Sequence, residues 1–257
     1  MKSWDRNKVF TIAEIGGNHE GSFEKAKKLL NLATETGFDA IKFQIYKNTT
    51  LVNHKQDIKR SEHFKKFQLN KDEYIKLAKL TKSHGLQFMA SIWDLNEIDT
   101  YDKFIDIHKI GSGDLTAYPF IKKLVSKNKP LIISTGLSTI NEIIETIGFI
   151  NEINSDFIKK GKLALMQCTS MYPIPDRDAS LNSMKFIADK TKLPVGYSDH
   201  TIGSDSIDIA IAMGASIIEE HFTDNREKHS FRDHKVSLTK NEMKKFIKKI
   251  KKIKIIQ

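Results

Sequence analysis

The sequence predicts an α/β protein, a single (β/α)8 TIM barrel spanning residues 1–257. Three observations carry that prediction. Short β-rich runs alternate with amphipathic helical stretches eight times along the chain. A length of 257 residues suits one such barrel, typically about 250 residues. No G-x-G-x-x-G opens a helix after a strand, which argues against an open dinucleotide-binding sheet.

The β-rich runs are TIAEIG (11–16), DAIKFQI (39–45), QFMASI (87–92), IHKIGS (107–112), PLIIST (130–135), LALMQC (163–168), PVGYSD (194–199) and SIIEEHF (216–222). Helical stretches such as FEKAKKLLNLATETG, NKDEYIKLAKLTKSHG and TINEIIETIGFINEI lie between them. Gly37 and Gly85 stand just before the second and third runs, where a helix ends in a left-handed residue. Strands separated by helices pair in parallel through right-handed crossovers. Two connections are long, residues 46–70 and 223–238. Both begin where a strand ends, on the face that carries barrel active sites, and are expected to be active-site loops.

Composition narrows the partners. Net charge is +10 and the pI about 9.4, but much of the excess lies in the terminal KNEMKKFIKKIKKIKIIQ. There Met243, Phe246, Ile247, Ile250 and Ile253 recur at helical spacing, so the lysines form the solvated face of an amphipathic helix. No aromatic-basic interleaving occurs elsewhere, and no nucleic-acid partner is expected. No apolar run approaches the roughly 20 residues of a membrane span, and no signal peptide opens the chain. The lone Cys168 forms no internal disulfide. A cytoplasmic location without membrane contact is expected.

Chemistry gathers where strands finish. Glu14, Lys42, Gln44, Lys109, Ser112, Ser134, Ser198, His200 and His221 all lie near the C-terminal ends of runs. Side chains alternate along a strand, so Lys42 and Gln44 share one face while Ile41, Phe43 and Ile45 share the other. An inward lysine is costly unless it meets an anion. Lys42 and Lys109 therefore either hold one bound anion between them or form internal ion pairs with Glu14 and a neighbour. The hydroxyls at adjoining strand ends favour the anion, in which case the two lysines repel one another before it binds. Adjacent strands run about 4.8 Å apart, so His200 and His221 are close enough to share a divalent metal or to be two ordinary hydrogen-bonded histidines. His19 is a weaker third candidate. Cys168 reads as core packing, as buried thiols usually do.

In this order, EIGGNHEG, IKFQ, KIGSGD, ISTG, CTSMYP, GYSDHT and EHFT resemble the signatures of the sialic acid synthase family. The resemblance runs from residue 9 to about residue 250. It implies an N-acetylneuraminate synthase-like transferase that joins phosphoenolpyruvate to a sugar aldehyde such as N-acetylmannosamine and makes a nonulosonic acid. Lys42, Ser91, Lys109, Ser112, Ser134, Ser170, Tyr172 and Ser198 match positions that grip phosphoenolpyruvate. Gln44, Asp114 and Asp233 match positions facing the sugar hydroxyls. Glu14 matches an acid beside the reacting carbons. His200 and His221 match the ligands of Mn2+ or Mg2+, which polarises the aldehyde.

Asp114 and Ser170 stand where many members carry glutamate and asparagine, changes able to retune the sugar pocket. The resemblance also implies a homodimer in which a small C-terminal antifreeze-like domain lends an arginine to the partner's sugar. This sequence reads as the barrel alone, and Arg232 is the internal candidate for that arginine. The competing readings are a related ulosonate synthase using an aldose phosphate, and a truncated module without activity.

Overall fold

Eight parallel strands close on themselves in chain order in the computed structural model, which describes residue 4, residues 8–227 and residues 229–256. They are β1 (Phe10–Gly16), β2 (Ala40–Ile45), β3 (Gln87–Ile92), β4 (Ile107–Ile110), β5 (Leu131–Ser134), β6 (Leu163–Cys168), β7 (Val195–Ser198) and β8 (Ile217–Thr223). Each pairs with the next, and β8 pairs back to β1, with Glu14 opposite His221. The β-rich runs of the sequence coincide with these strands to within two residues at either end. Ser112, Thr135, Asp199 and His200 fall just beyond the strand ends, on the turns that follow.

Helices fill the crossovers. They are α1 (Phe23–Thr34) after β1, α2 (Asn48–Leu51), α3 (Ile58–Phe67) and α4 (Lys71–Ser83) after β2, and α5 (Ile98–Asp102) after β3. Next come α6 (Tyr118–Ser126) after β4, α7 (Ile140–Ile153) and α8 (Ser155–Lys159) after β5, α9 (Leu181–Thr191) after β6, and α10 (Asp205–Ala212) after β7. Past β8, a short β9 (Leu238–Thr239) pairs with the end of β8 and leads into α11 (Lys240–Ile256).

Local chemistry sets the helix starts. Asn70 with Glu73, and Thr139 with Glu142, form reciprocal capping boxes at α4 and α7. Ser22 accepts from the Lys25 amide at the start of α1. The apolar stripe of α11 is buried through Met243, Phe246, Ile247 and Ile250, which turns Lys245, Lys248, Lys249 and Lys252 to solvent. No described helix is long and apolar enough to cross a membrane.

Strand parity divides the barrel into two zones. Ile41, Phe43 and Ile45 point outward into the main core between sheet and helices. Inside, Ile12, Ala40, Met89, Ile107, Ile132, Ala164, Met166 and Ile217 plug the lower barrel. Burying each of the larger ones contributes about 1.5–3 kcal/mol. Two residues further along, the same inward rows turn polar. Ile12 gives way to Glu14, Ala40 to Lys42, Met89 to Ser91, Ile107 to Lys109, Ile132 to Ser134 and Ile217 to Glu219. An apolar floor therefore lies under a polar chamber that opens at the C-terminal end of the strands.

Candidate active site

That chamber is a cavity of about 870 Å3, lined by all fourteen residues that the family resemblance matches to catalysis, substrate or metal. Glu14, Lys42, Gln44, Ser91, Lys109, Ser134, Ser198 and His221 reach it from strands. Ser112, Asp114, Ser170, Tyr172, His200 and Asp233 reach it from the turns after β4, β6, β7 and β8. Gly136 lets these turns close up. A Cβ there would lie 2.6 Å from the Cys168 carbonyl oxygen and 2.8 Å from Ser112 Oγ.

At the bottom of the chamber the two lysines are already paired. Lys42 Nζ lies 2.7 Å from Glu14 Oε2 and 3.5 Å from Glu219 Oε1, and Lys109 Nζ lies 3.8 Å from Glu219 Oε2. Lys109 also donates to Ser134 Oγ at 2.6 Å, and Gln44 Nε2 donates to Glu14 Oε1 at 3.1 Å. The expectation of two lysines in mutual repulsion is therefore corrected. Two carboxylates balance two ammonium groups, because burial of all four, at 1–5% exposure, would otherwise be prohibitive.

The four groups titrate differently. Burial pushes the Glu14 carboxyl up to about 7, with the Lys42 ammonium opposing the shift. Burial also raises Glu219, but the ammonium groups of Lys109 and Lys42 outweigh it and hold that carboxyl below its usual range. Lys42 feels burial downward and its two carboxylates upward, and ends above its ordinary value. Lys109 is lowered by burial, only partly offset by Glu219.

His200 and His221 stand higher in the chamber, their ring centroids 5.3 Å apart. Burial lowers both, His221 well below the usual range, so both are neutral imidazoles, the form that ligates metal. His200 Nδ1 lies 3.0 Å from the Thr169 carbonyl oxygen; donation there leaves Nε2 as the free lone pair. His221 Nδ1 is buried without a hydrogen-bond partner and lies 3.8 Å from Asp233 Oδ2. Asp233 is itself nearly buried, which raises its carboxyl to about 6 despite Arg232 nearby, and its Oδ1 has no hydrogen-bond partner. Two neutral imidazoles are donors of the kind that suits a divalent cation, and the Asp233 carboxylate stands beside one of them. His19 is not part of it. Its Nδ1 accepts from the Gly21 amide at 3.1 Å, and the ring packs near Phe43 outside the chamber.

The upper walls are aromatic. The Tyr172 ring lies 3.9 Å from that of His200, and the Arg232 guanidinium sits 4.6 Å above Tyr172. Burial raises Asp114, opposed by a hydrogen bond from Trp93. Trp93, Phe231, and Arg60, His63 and Phe64 of α3 also line the mouth. Of all these, Glu219 is the consequential residue that the sequence reading missed. A parity signal for it existed, since Glu219 stands two residues before His221 on the same inward row. Cys168, read as packing, is buried and borders the cavity, and burial pushes its thiol up.

Known proteins share this architecture. The N,N'-diacetyllegionaminic acid synthase of Legionella pneumophila is 36% identical over 94% of this chain and 71% of its own length. Its Campylobacter jejuni counterpart is 34% identical over 96% of this chain and 76% of its own length. The crystal structure of an N-acetylneuraminic acid (sialic acid) synthetase from Leptospira borgpetersenii superposes with a TM-score of 0.88 at 27% identity, covering 98% of this chain and 85% of that one. The NeuB family matches residues 29–257, and with that span and those relatives the chain belongs to the NeuB family.

Proposed function

We propose that the protein condenses phosphoenolpyruvate with an N-acylated hexosamine-type aldehyde and releases phosphate by C–O cleavage, yielding a nonulosonic acid. One observation carries this reading. Two inward lysines ringed by serine hydroxyls occupy the floor of a cavity whose upper part holds two neutral imidazoles and a buried carboxylate. An anionic, phosphorylated three-carbon acid suits the floor, and a polyhydroxylated aldehyde suits the space above it.

Lys42 and Lys109, with Ser91, Ser112, Ser134, Ser170, Tyr172 and Ser198, would hold the phosphate and carboxylate of phosphoenolpyruvate. Gln44, Asp114 and Asp233 would take the sugar hydroxyls. His200 and His221 would hold a divalent cation, Mn2+ or Mg2+, whose Lewis acidity polarises the aldehyde when bound. C3 of phosphoenolpyruvate attacks the aldehyde carbon, and C2 becomes electron-poor. Lys42 and Lys109 keep the phosphate and carboxylate in place as charge shifts, a preorganised electrostatic contribution. Water then adds at C2, and the tetrahedral carbon expels phosphate. Glu14, at about 7, can take or return a proton in this step near neutral pH. The working unit is proposed to be a homodimer.

Phosphate release should be measured with phosphoenolpyruvate and a panel of N-acetylmannosamine, its 6-phosphate and 2,4-diacetamido-trideoxy hexoses. Release that requires one of these sugars supports the proposal. Release only with a simple aldose phosphate would move the assignment to a shorter ulosonate, and release with none would leave a non-catalytic module.

Arg232, 71% exposed and poised over Tyr172, is proposed to reach the acyl group of the sugar. Arg232→Ala is expected to raise the sugar KM by about tenfold, the loss of one charge-assisted hydrogen bond, and to leave the phosphoenolpyruvate KM alone. Unchanged acyl selectivity in that variant would remove Arg232 from the site.

A further inference from the structure

We propose that Glu20, outside the cavity, is a positioning residue that clamps the chain after β8 so that Arg232 and Asp233 face the sugar; this rests on the sugar reading of Asp233 given above. Glu20 follows β1 with φ +51°, a left-handed conformation that costs a non-glycine residue energy unless its surroundings demand it. The demand is visible. Oε1 accepts from the Ser230 amide at 2.8 Å, the Ser230 hydroxyl at 2.9 Å and the Phe231 amide at 3.1 Å. Oε2 pairs with Lys25 Nζ at 2.7 Å. Hydrogen bonds from Lys25 and Ser230 hold the carboxyl far below its usual range against the effect of burial, so it is ionised whenever the enzyme is folded near neutral pH.

The same knot ties the rest of the segment. Lys25 Nζ also lies 3.1 Å from His229 Nδ1. The His229 ring stacks on that of His234 at 3.9 Å, and His234 Nδ1 is 2.7 Å from Thr223 Oγ1 at the end of β8. Glu20, His229 and His234 come near enough together to suggest a second metal centre. Two facts argue for a clasp instead. The Lys25 ammonium already stands between Glu20 and His229 as the cation. The stacked rings, inclined by only 18°, do not aim their in-plane lone pairs at one point.

Phe231 completes the attachment. Its ring lies so close over Gly17 that a Cβ there would be 2.3 Å from a ring carbon, and it packs on Phe67 of α3 at 4.9 Å. One residue beyond Phe231 the Arg232 guanidinium covers Tyr172, and the next, Asp233, stands beside His221. Fixing the amides of residues 230 and 231 thus fixes the origin from which two cavity residues project. A displacement of about 1 Å there is enough to impair substrate alignment.

Glu20→Asn is the informative variant, because asparagine tolerates the left-handed backbone but is too short to bridge to Ser230. The sugar KM is expected to rise by about tenfold, with the phosphoenolpyruvate KM unchanged and kcat less affected. Hydrogen exchange at the Ser230 and Phe231 amides should accelerate, and Glu20→Gln, which keeps an acceptor oxygen, should recover most of the loss. Ser230→Ala, which removes one of the three bonds, gives the same comparison in a milder form should Glu20→Asn fail to fold. Native exchange at both amides in the shortened variant overturns the clasp. So does a normal sugar KM in Glu20→Asn when Asp233→Asn raises it. An unchanged sugar KM in Asp233→Asn would instead overturn the sugar reading, and the exchange rates would still decide the clasp.

Discussion

Lys42→Met is expected to lower kcat/KM for phosphoenolpyruvate by about two to three orders of magnitude and to destabilise the unliganded enzyme as well. The first effect follows from losing a buried cation under a phosphorylated acid. The second follows from the pairing, since Lys42 lies between Glu14 at 2.7 Å and Glu219 at 3.5 Å. Removing one partner of a buried ion pair typically costs about 3–5 kcal/mol. The penalty should depend on pH in a definite sense. Glu14 already binds its proton more tightly in the folded state, near 7, than an unfolded glutamate does. A group raised in this way contributes stability at low pH that is lost as pH rises through the folded value. Without Lys42 that value moves higher still. Glu219, held low in the native enzyme by Lys109 and Lys42, loses part of its own stabilisation above the ordinary carboxylate range. Between about pH 5 and about pH 8 the weakened hold on Glu219 enlarges the gap in Tm between wild type and Lys42→Met throughout, and Glu14 widens it further as pH rises through about 7. Thermal melts across that range check it. A gap that closes with rising pH, or a variant more stable than wild type, would mean that the lysines do repel one another in the empty chamber.

Removal of divalent metal is expected to reduce phosphate release by about a thousandfold, because Lewis-acid polarisation of an aldehyde contributes several kcal/mol. His221→Ala should do the same while leaving the barrel folded, and should weaken Mn2+ binding followed by titration calorimetry. His221 Nδ1 has no partner to lose, so that substitution sacrifices no hydrogen bond at that nitrogen. Manganese added back to chelated wild type should restore the rate, and manganese added to His221→Ala should not. Full turnover in metal-free enzyme would remove His200 and His221 from the metal role and leave them as neutral hydrogen-bonding groups.

Much of this was legible along the chain because a parallel barrel repeats a simple code. The inward rows run Ile12 to Glu14, Met89 to Ser91 and Ile132 to Ser134, an apolar residue followed two positions later by a polar one. A period of two is visible in sequence, and it places the chemistry at the C-terminal ends of strands before any coordinates exist. Two helix ends were legible for the same local reason, through the glycines at positions 37 and 85, while the capping boxes at Asn70 and Thr139 are seen in the structure. The connections were less so. Residues 46–70 read as one long loop, yet contain α2 and α3, and α3 owes its place to packing of Phe67 against Phe231 from the far end of the chain.

What the sequence by itself determined is the barrel, the inward face of β2 and most of the residues around the chamber, Glu219 excepted. Which of those residues pair was decided only by closure of the barrel. Lys42 on β2 reaches Glu219 on β8 past the intervening β1, and Lys109 on β4 reaches the same carboxylate across the interior. No periodicity relates positions so far apart in the chain. The choice between mutual repulsion and a neutral cluster rests on distances of a few ångströms in a medium where an uncompensated charge is prohibitive. The clasp from Glu20 to Ser230 and Phe231 has the same origin, because β1 and β8 become neighbours only when the first and last strands of the sheet meet.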